Sequence, residues 1–449
     1  MTSSKSSTSH QFSDKKRMQH FYAMWFGQLF SLVSTAITSF ALGWWVLQET
    51  GMVTDYALIM VITFLPGIVL SPFIGILVDR HKRKTIMILA DLVAGITSLF
   101  VAWLYVTDSM QVWHIYVVIA IDSVALAFQI PASLAGLTML VPKKQLGRTA
   151  GMNQISYSLS HICAPFMAGF LLLKIGIIGI LVIDLLTFVL AAAVMLFVTI
   201  PEPDKSKQKE AAKPAMISEI KAAWLYLRQR PSLFYLLGYF SMINFVAGIL
   251  IASIMPLLNT FASESELGMV MSVGGLGALT GSLYMSLRKQ PKSQIYGVLL
   301  GGMVYCFFVG LLGFNASLFS AGLALFMLGV TLPITASSSQ VIWQTKVEPS
   351  FQGRVFALRR MVAQLSVPLG ALSVGPLVDH YFQPMMDSNS EAAVFFGSII
   401  GSGDGRGLGL VLVLAAILPF LISILAFAFK PLINIERTLP DALADSSSD

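Results

Sequence analysis

Charged residues are gathered into short islands along this chain, and between the islands run apolar stretches of about 20 residues, the length a helix needs to cross a bilayer. Only 12% of the 449 residues are charged and 56% are hydrophobic. A soluble domain carries about twice that charged fraction, so a water-soluble core is excluded. The strands of roughly 10 alternating residues that mark a membrane barrel are absent. Helices therefore remain, because in lipid the backbone must satisfy its own hydrogen bonds.

Twelve spans are expected, at approximately 20–48, 56–78, 84–106, 112–140, 149–173, 176–200, 233–259, 266–287, 294–313, 316–342, 355–381 and 407–430. The first should be retained, since no small-residue cleavage site follows it. With this count all but two of the 29 basic residues, Lys174 and Arg406, fall on the side of the N-terminus. Lys and Arg collect in cytoplasmic loops, so both termini are expected in the cytoplasm. Basic loops facing anionic lipid account for the net charge of +6 without a nucleic-acid partner.

A polar, Lys-rich linker divides six spans from six, giving a first half at 1–200, a linker at 201–232 and a second half at 233–449. Within the linker Met216, Ile217, Ile220, Ala223, Trp224 and Leu227 recur at helical spacing, which predicts an amphipathic helix on the inner membrane surface. The halves also resemble each other: Gly147-Arg148 before span 5 is matched by Gly353-Arg354 before span 11, an offset of 206 residues. The fold class expected is an all-α membrane protein of twelve transmembrane helices in two pseudo-symmetric six-helix halves.

Between spans 2 and 3 stands Gly75-Ile76-Leu77-Val78-Asp79-Arg80-His81-Lys82-Arg83-Lys84. Asp79 is a carboxylate at the membrane edge among cations, so Gly75, Asp79, Arg80, Arg83 and Lys84 can latch two helices in one state and release them in another. The segment resembles the signature loop of the major facilitator superfamily, G-x-L-x-D-R-x-G-R-K/R, with Lys82 standing where the family has Gly. Phe64-Leu65-Pro66, Asp91, Pro131 and Gly353-Arg354-Val355-Phe356 are similar to the branch of macrolide efflux proteins and the enterobactin exporter. Ala164-Pro165-Phe166-Met167-Ala168-Gly169 looks like a reduced antiporter signature, while a second loop copy, with Met285 at its Asp position, has decayed.

The resemblance implies a secondary exporter of drug-, macrolide- or siderophore-like molecules, working by alternating access as a proton antiporter in a bacterial inner membrane. A monomer with a small-molecule substrate, protons and surrounding lipid as partners is expected. A lysophospholipid or other lipid transporter is the alternative, and an integral membrane enzyme the more distant one. No cofactor or metal is called for: HEXXH, GxSxG and P-loop motifs are absent, and Cys163 and Cys306 have no ligand spacing.

Ionisable groups inside spans are costly and mark function. Asp122 and Asp184 sit about 13 Å into spans 4 and 6, and Asp91 lies nearer the inner edge. Desolvation favours a neutral carboxyl, so Asp122 is expected to carry the coupling proton, with Asp184 next and His161 assisting. The family's span 4 lines the central cavity, and the resemblance puts Asp122 where many members carry Arg. Gln129, Asn153, Tyr157, Asn244, Gln340 and Gln364 are expected as polar groups of the substrate cavity, beside Trp45, Met242 and Phe245.

Overall fold

The computed structural model describes residues 14–141, 145–199, 216–288, 293–314, 317–388 and 390–441, and all regular structure among them is helical. In chain order the elements are α1 (Asp14–Thr50), α2 (Val53–Arg80), α3 (Arg83–Val106), α4 (Val112–Leu140), α5 (Leu146–Phe197), α6 (Met216–Arg228) and α7 (Pro231–Asn259). They continue as α8 (Glu264–Leu287), α9 (Ile295–Phe314), α10 (Leu318–Lys346), α11 (Pro349–Leu377), α12 (Gln383–Met386), α13 (Glu391–Ile400), α14 (Arg406–Ala426), α15 (Lys430–Ile433) and α16 (Ile435–Thr438). Eleven of these helices are long and apolar enough to cross a membrane.

The expected twelfth crossing is inside α5. At 1.5 Å per residue a helix of 52 residues would be about 78 Å long, more than twice a hydrocarbon core of roughly 30 Å. Gly176 breaks it, with φ 64° and ψ −176°. A residue with a Cβ is strained there and glycine is not. Spans 5 and 6 are thus two arms, 146–175 and 177–197, joined by a single turning residue.

The same pairings recur in both halves. In the first, α1 packs on α5, α2 on α4, and α3 on α4 and α5; in the second, α7 packs on α11, α8 on α10, and α9 on α10 and α14. This repetition is the pseudo-symmetry that the duplicated Gly-Arg pairs predict. Between helices of the second half the contacts are carried by glycine: a Cβ on Gly248 would meet the carbonyl of Val367, and one on Gly370 the carbonyl of Phe245. Small residues let membrane helices approach until backbones touch, where dispersion rather than hydrophobicity holds them.

The bundle has two distinguishable ends. One, the basic end, carries Lys16, Arg17, Lys82, Arg83, Lys84, Arg288, Lys346 and Arg354; the other, the far end, carries the turns at Gly51, Gly176 and Thr260. The halves meet at the far end. Gly169 of α5 abuts Glu264 of α8, Gly268 abuts Pro165, and Gly375 of α11 abuts Thr54 of α2. Gln48 donates to Asn259 at 3.1 Å, and Asp379 accepts from the Thr54 amide at 2.8 Å and from its hydroxyl at 2.6 Å.

The stretch 383–406 between spans 11 and 12 holds helices: α11 runs through a π-helical turn at Val378–Phe382 into α12, and α13 follows with Ser390 as its N-cap. Pro376 removes a helical N–H just before the π turn, which is where such a bulge forms. The linker helix is α6, as expected, but it docks on protein as well as facing outward. Ala223 and Leu227 are fully buried, Tyr226 stacks on Phe351 at 4.6 Å, and Trp224 remains exposed.

Candidate functional site

A crevice opens in the basic-end part of the first half, between α1, α4 and the first arm of α5. Met24, Trp25, Gln28, Gln129, Asn153 and Ser156 are among its lining residues. Two of the expected cavity residues, Gln129 and Asn153, are therefore brought together here, and Gln28 joins them from α1.

Behind the two glutamines lies Asp91 of α3, only 1% exposed. Gln129 Nε2 donates to Asp91 Oδ1 at 2.6 Å, Gln28 Nε2 donates to Oδ2 at 3.1 Å, and the amides also meet each other at 3.2 Å. A buried carboxylate needs its lone pairs occupied, and here two cavity-wall amides supply the donors. Asp91 is thus one side chain removed from the crevice, closer to it than a reading ordered by depth alone suggests. The sequence signal existed: Gln28, Asp91 and Gln129 each interrupt an apolar span, but only the packing of three helices reveals that they share one network.

Asp122 and Asp184 flank the next turn of α3. Thr97 Oγ1 donates to Asp122 Oδ1 at 2.7 Å, while Ser98 and Ser34 donate to the two oxygens of Asp184 at 2.8 Å each. Adjacent residues of one helix thereby hold two carboxyls on opposite sides. Asp184 is 2% exposed and Asp122 is half-buried. Three intramembrane acids thus belong to one half and are strung along α3.

The second half differs. Its intramembrane charge is Arg359 of α11, whose Nη1 donates to Gln340 at 2.8 Å and Nη2 to Ser339 at 3.2 Å. Trp343 and Phe240 lie beneath the guanidinium, with ring centres 5.3 and 5.7 Å away. Asn244 donates to the carbonyl of Phe240 four residues back, and Gln364 is exposed on α11.

Of the signature loop, Lys84 Nζ donates to the Leu196 carbonyl at 2.8 Å, tying the start of α3 to the end of α5, and Arg83 begins α3. Gly75, Asp79, Arg80, Tyr157 and His161 lie on helices α2 and α5, but their side chains fall outside the described residues. Among the described residues no cluster of His, Cys, Asp and Glu is arranged to hold a metal.

The model of the Major Facilitator Superfamily matches residues 24–371. Macrolide efflux protein A of Streptococcus pyogenes is 29% identical over 360 residues, covering 78% of this chain and 87% of that protein. Macrolide efflux protein A of Enterococcus faecalis is 30% identical over 315 residues, covering 68% and 96%. Among solved structures, a bacterial homolog to the human lysosomal transporter Spinster, in an inward-facing and unoccupied conformation, superposes with a TM-score of 0.69 at 15% identity, over 94% of this chain and 98% of that one. That last likeness bears on the fold alone.

Proposed function

The chain belongs to the Major Facilitator Superfamily, and from this premise we propose that it exports small amphipathic molecules across a bacterial inner membrane against an inward flow of protons. It is a multi-pass membrane transporter and not an enzyme. The efflux relatives support the direction of transport, and macrolides are the first cargo to try. We take the basic end as cytoplasmic, because Lys and Arg are retained on that side. A far-end seal then leaves the crevice facing inward, ready to load.

One observation carries the coupling: the amides that hold Asp91 also line the crevice. With Asp91 ionised its oxygens hold the two Nε2 groups and leave amide oxygen to accept from cargo, whereas a proton on Asp91 turns an acceptor oxygen into a donor that claims an amide oxygen for itself. Cargo and proton are thereby linked through the same two side chains, and such linkage is reciprocal. Loading from the cytoplasm favours release of the proton inward. After the halves rock, a proton arriving from outside neutralises the acid and favours cargo release outward. Asp122 and Asp184, held at Thr97 and Ser98, are the deeper stations of this pathway.

Inverted vesicles energised to an acid interior test the reading with a labelled macrolide and an amphipathic dye. Accumulation should collapse with the gradient, and fail in Asp91→Asn and in Asp122→Asn. Gradient-driven accumulation surviving in Asp91→Asn, Asp122→Asn and Asp184→Asn alike would sink the coupling assignment. If neither compound moves under any gradient, the cargo assignment is wrong.

A further inference from the structure

We propose that Arg359 is an oxyanion-recognising subsite, and that the preferred cargo carries a carboxylate or similar acidic group on its amphipathic body. The body itself rests on the export reading above; the acidic group rests on the second half alone.

Arg359 lies ten residues after Pro349, about 15 Å along α11. A cation at such a position usually has a partner of opposite sign. Among the described residues Arg359 has none. Its two bonds go to the neutral acceptors Gln340 and Ser339. A guanidinium has five N–H donors, and two rings beneath it fix the plane while offering no acceptor in that plane. Trp343, one of those rings, also keeps a buried indole N–H without a partner. Arg360 beside it adds a second cation. The site is rich in donors and positive charge and short of anything to receive them.

The internal duplication says what this place faces. The offset that carries Gly147-Arg148 to Gly353-Arg354 carries Asn153 to Arg359. Asn153 lines the crevice between α1, α4 and α5, and Arg359 joins α11 to α10 and α7, the equivalent three helices. Arg359 is half-buried, so part of its donor edge stays accessible. The equivalent places in the two halves then carry unlike charge: acid behind glutamines in the first, a planar fork in the second. A planar fork matches a carboxylate through two parallel bonds.

Rhodamine 110 and its methyl ester rhodamine 123 share a cationic ring system and differ by one free carboxylate. Binding of each to the purified full-length protein in nanodiscs, followed by fluorescence polarisation, isolates that group. The free acid should bind at least about tenfold more tightly than the ester. Arg359→Gln should bring the ratio close to one, and Arg359→Lys should restore part of it. Equal binding of both dyes by the wild type, binding of neither, or a ratio unchanged in Arg359→Gln would overturn the proposal. Competition against rhodamine 110 by lysophosphatidylglycerol and not by monoacylglycerol would assign the oxyanion to a lipid headgroup, while its absence would assign it to soluble cargo; the subsite stands in both cases. Should the ratio behave as stated while vesicles transport nothing, the export reading fails and the subsite remains.

Discussion

The two halves share a pattern of helix pairing but are held together differently. In the second half one continuous buried core joins α6 to α11 and α14 to α16 and reaches across to Trp44 of α1 and Tyr56 of α2, and glycines bring backbones into contact. In the first half the buried apolar residues form several smaller groups, and two buried aspartates, Asp91 and Asp184, sit among them on serine and glutamine donors. Dry backbone packing is rigid because nothing in it can rearrange without opening a void. A hydrogen-bonded interior has alternatives, since each donor can change partner when a proton or a ligand arrives. The second half is therefore the anvil of the pair, and the first is the half whose interior responds.

Matched glycine substitutions break this contrast most severely. On Gly329 of α10 a Cβ would be driven into the carbonyl of Gly274 and the backbone of Ala278, so Gly329→Ala must push α8 and α10 apart. Overpacking of this kind costs about 1–3 kcal/mol and more where backbone must move. On Gly95 of α3 a Cβ would sit 3.7 Å from the Phe188 side chain, an ordinary contact, so Gly95→Ala should be within about 1 kcal/mol of neutral, helped by the helix propensity of alanine. Thermal unfolding of the purified pair measures both. Equal losses would mean that the first half is as tightly built as the second.

Next in size is the response of the polar interior. Gln129→Leu removes the 2.6 Å bond to Asp91 and leaves the carboxylate with one amide, while changing little of the side-chain volume. Removing one partner of a buried charge costs about 1.5–3 kcal/mol, which predicts a lower unfolding temperature together with a loss of about tenfold or more in the initial rate of gradient-driven efflux per folded molecule. A variant that unfolds early yet transports normally per folded molecule would make Gln129 a packing residue instead.

The seal between the halves should give a smaller effect. Asp379 accepts from two amides at the first turn of α2 and from the Thr54 hydroxyl. An anion at a helix N-terminus contributes roughly 0.3–1 kcal/mol, and up to about 2 when partly buried. Asp379→Asn should shift the balance between closed and open far ends by up to about tenfold toward open. Spin labels on Glu49 and Asp387, which are exposed at that end on opposite halves, would report a longer distance population. An unchanged distance distribution would assign the seal to the glycine contacts at Gly169 and Gly375.

Much of this was legible in the chain itself, for stated physical reasons. Lipid leaves so few options that apolar run length and basic loops yield span number and class, and the duplicated Gly-Arg pairs yield the two halves. The linker helix followed from spacing, but its docking did not, because Ala223 and Leu227 look the same whether they meet lipid or protein. Depth set Asp122 and Asp184 above Asp91, the resemblance put Asp122 ahead of Asp184, and depth is a one-dimensional measure. Which acid adjoins the crevice depends on the rotation of α3 against α1 and α4, and that rotation places Asp91 behind Gln28 and Gln129. Arg359 lay in view at the edge of span 11, yet its lack of a counter-charge is a statement about neighbours in space.

The smallest effect belongs to the tie between α6 and α11. Arg230 meets Glu348 at 2.6 Å and lies 3.7 Å over the Tyr226 ring. The ion pair is open to solvent, its side chains 26% and 49% exposed, and such pairs are worth about 0–1 kcal/mol. Glu348→Gln should therefore leave unfolding nearly unchanged, because Ala223, Tyr226 and Leu227 keep α6 buried against the core without it. High salt, which screens exposed charges, should matter as little. A large loss of efflux in Glu348→Gln without loss of stability would instead make α6 a moving part of the cycle, and the division into a rigid half and a responsive half would have to be redrawn at the linker.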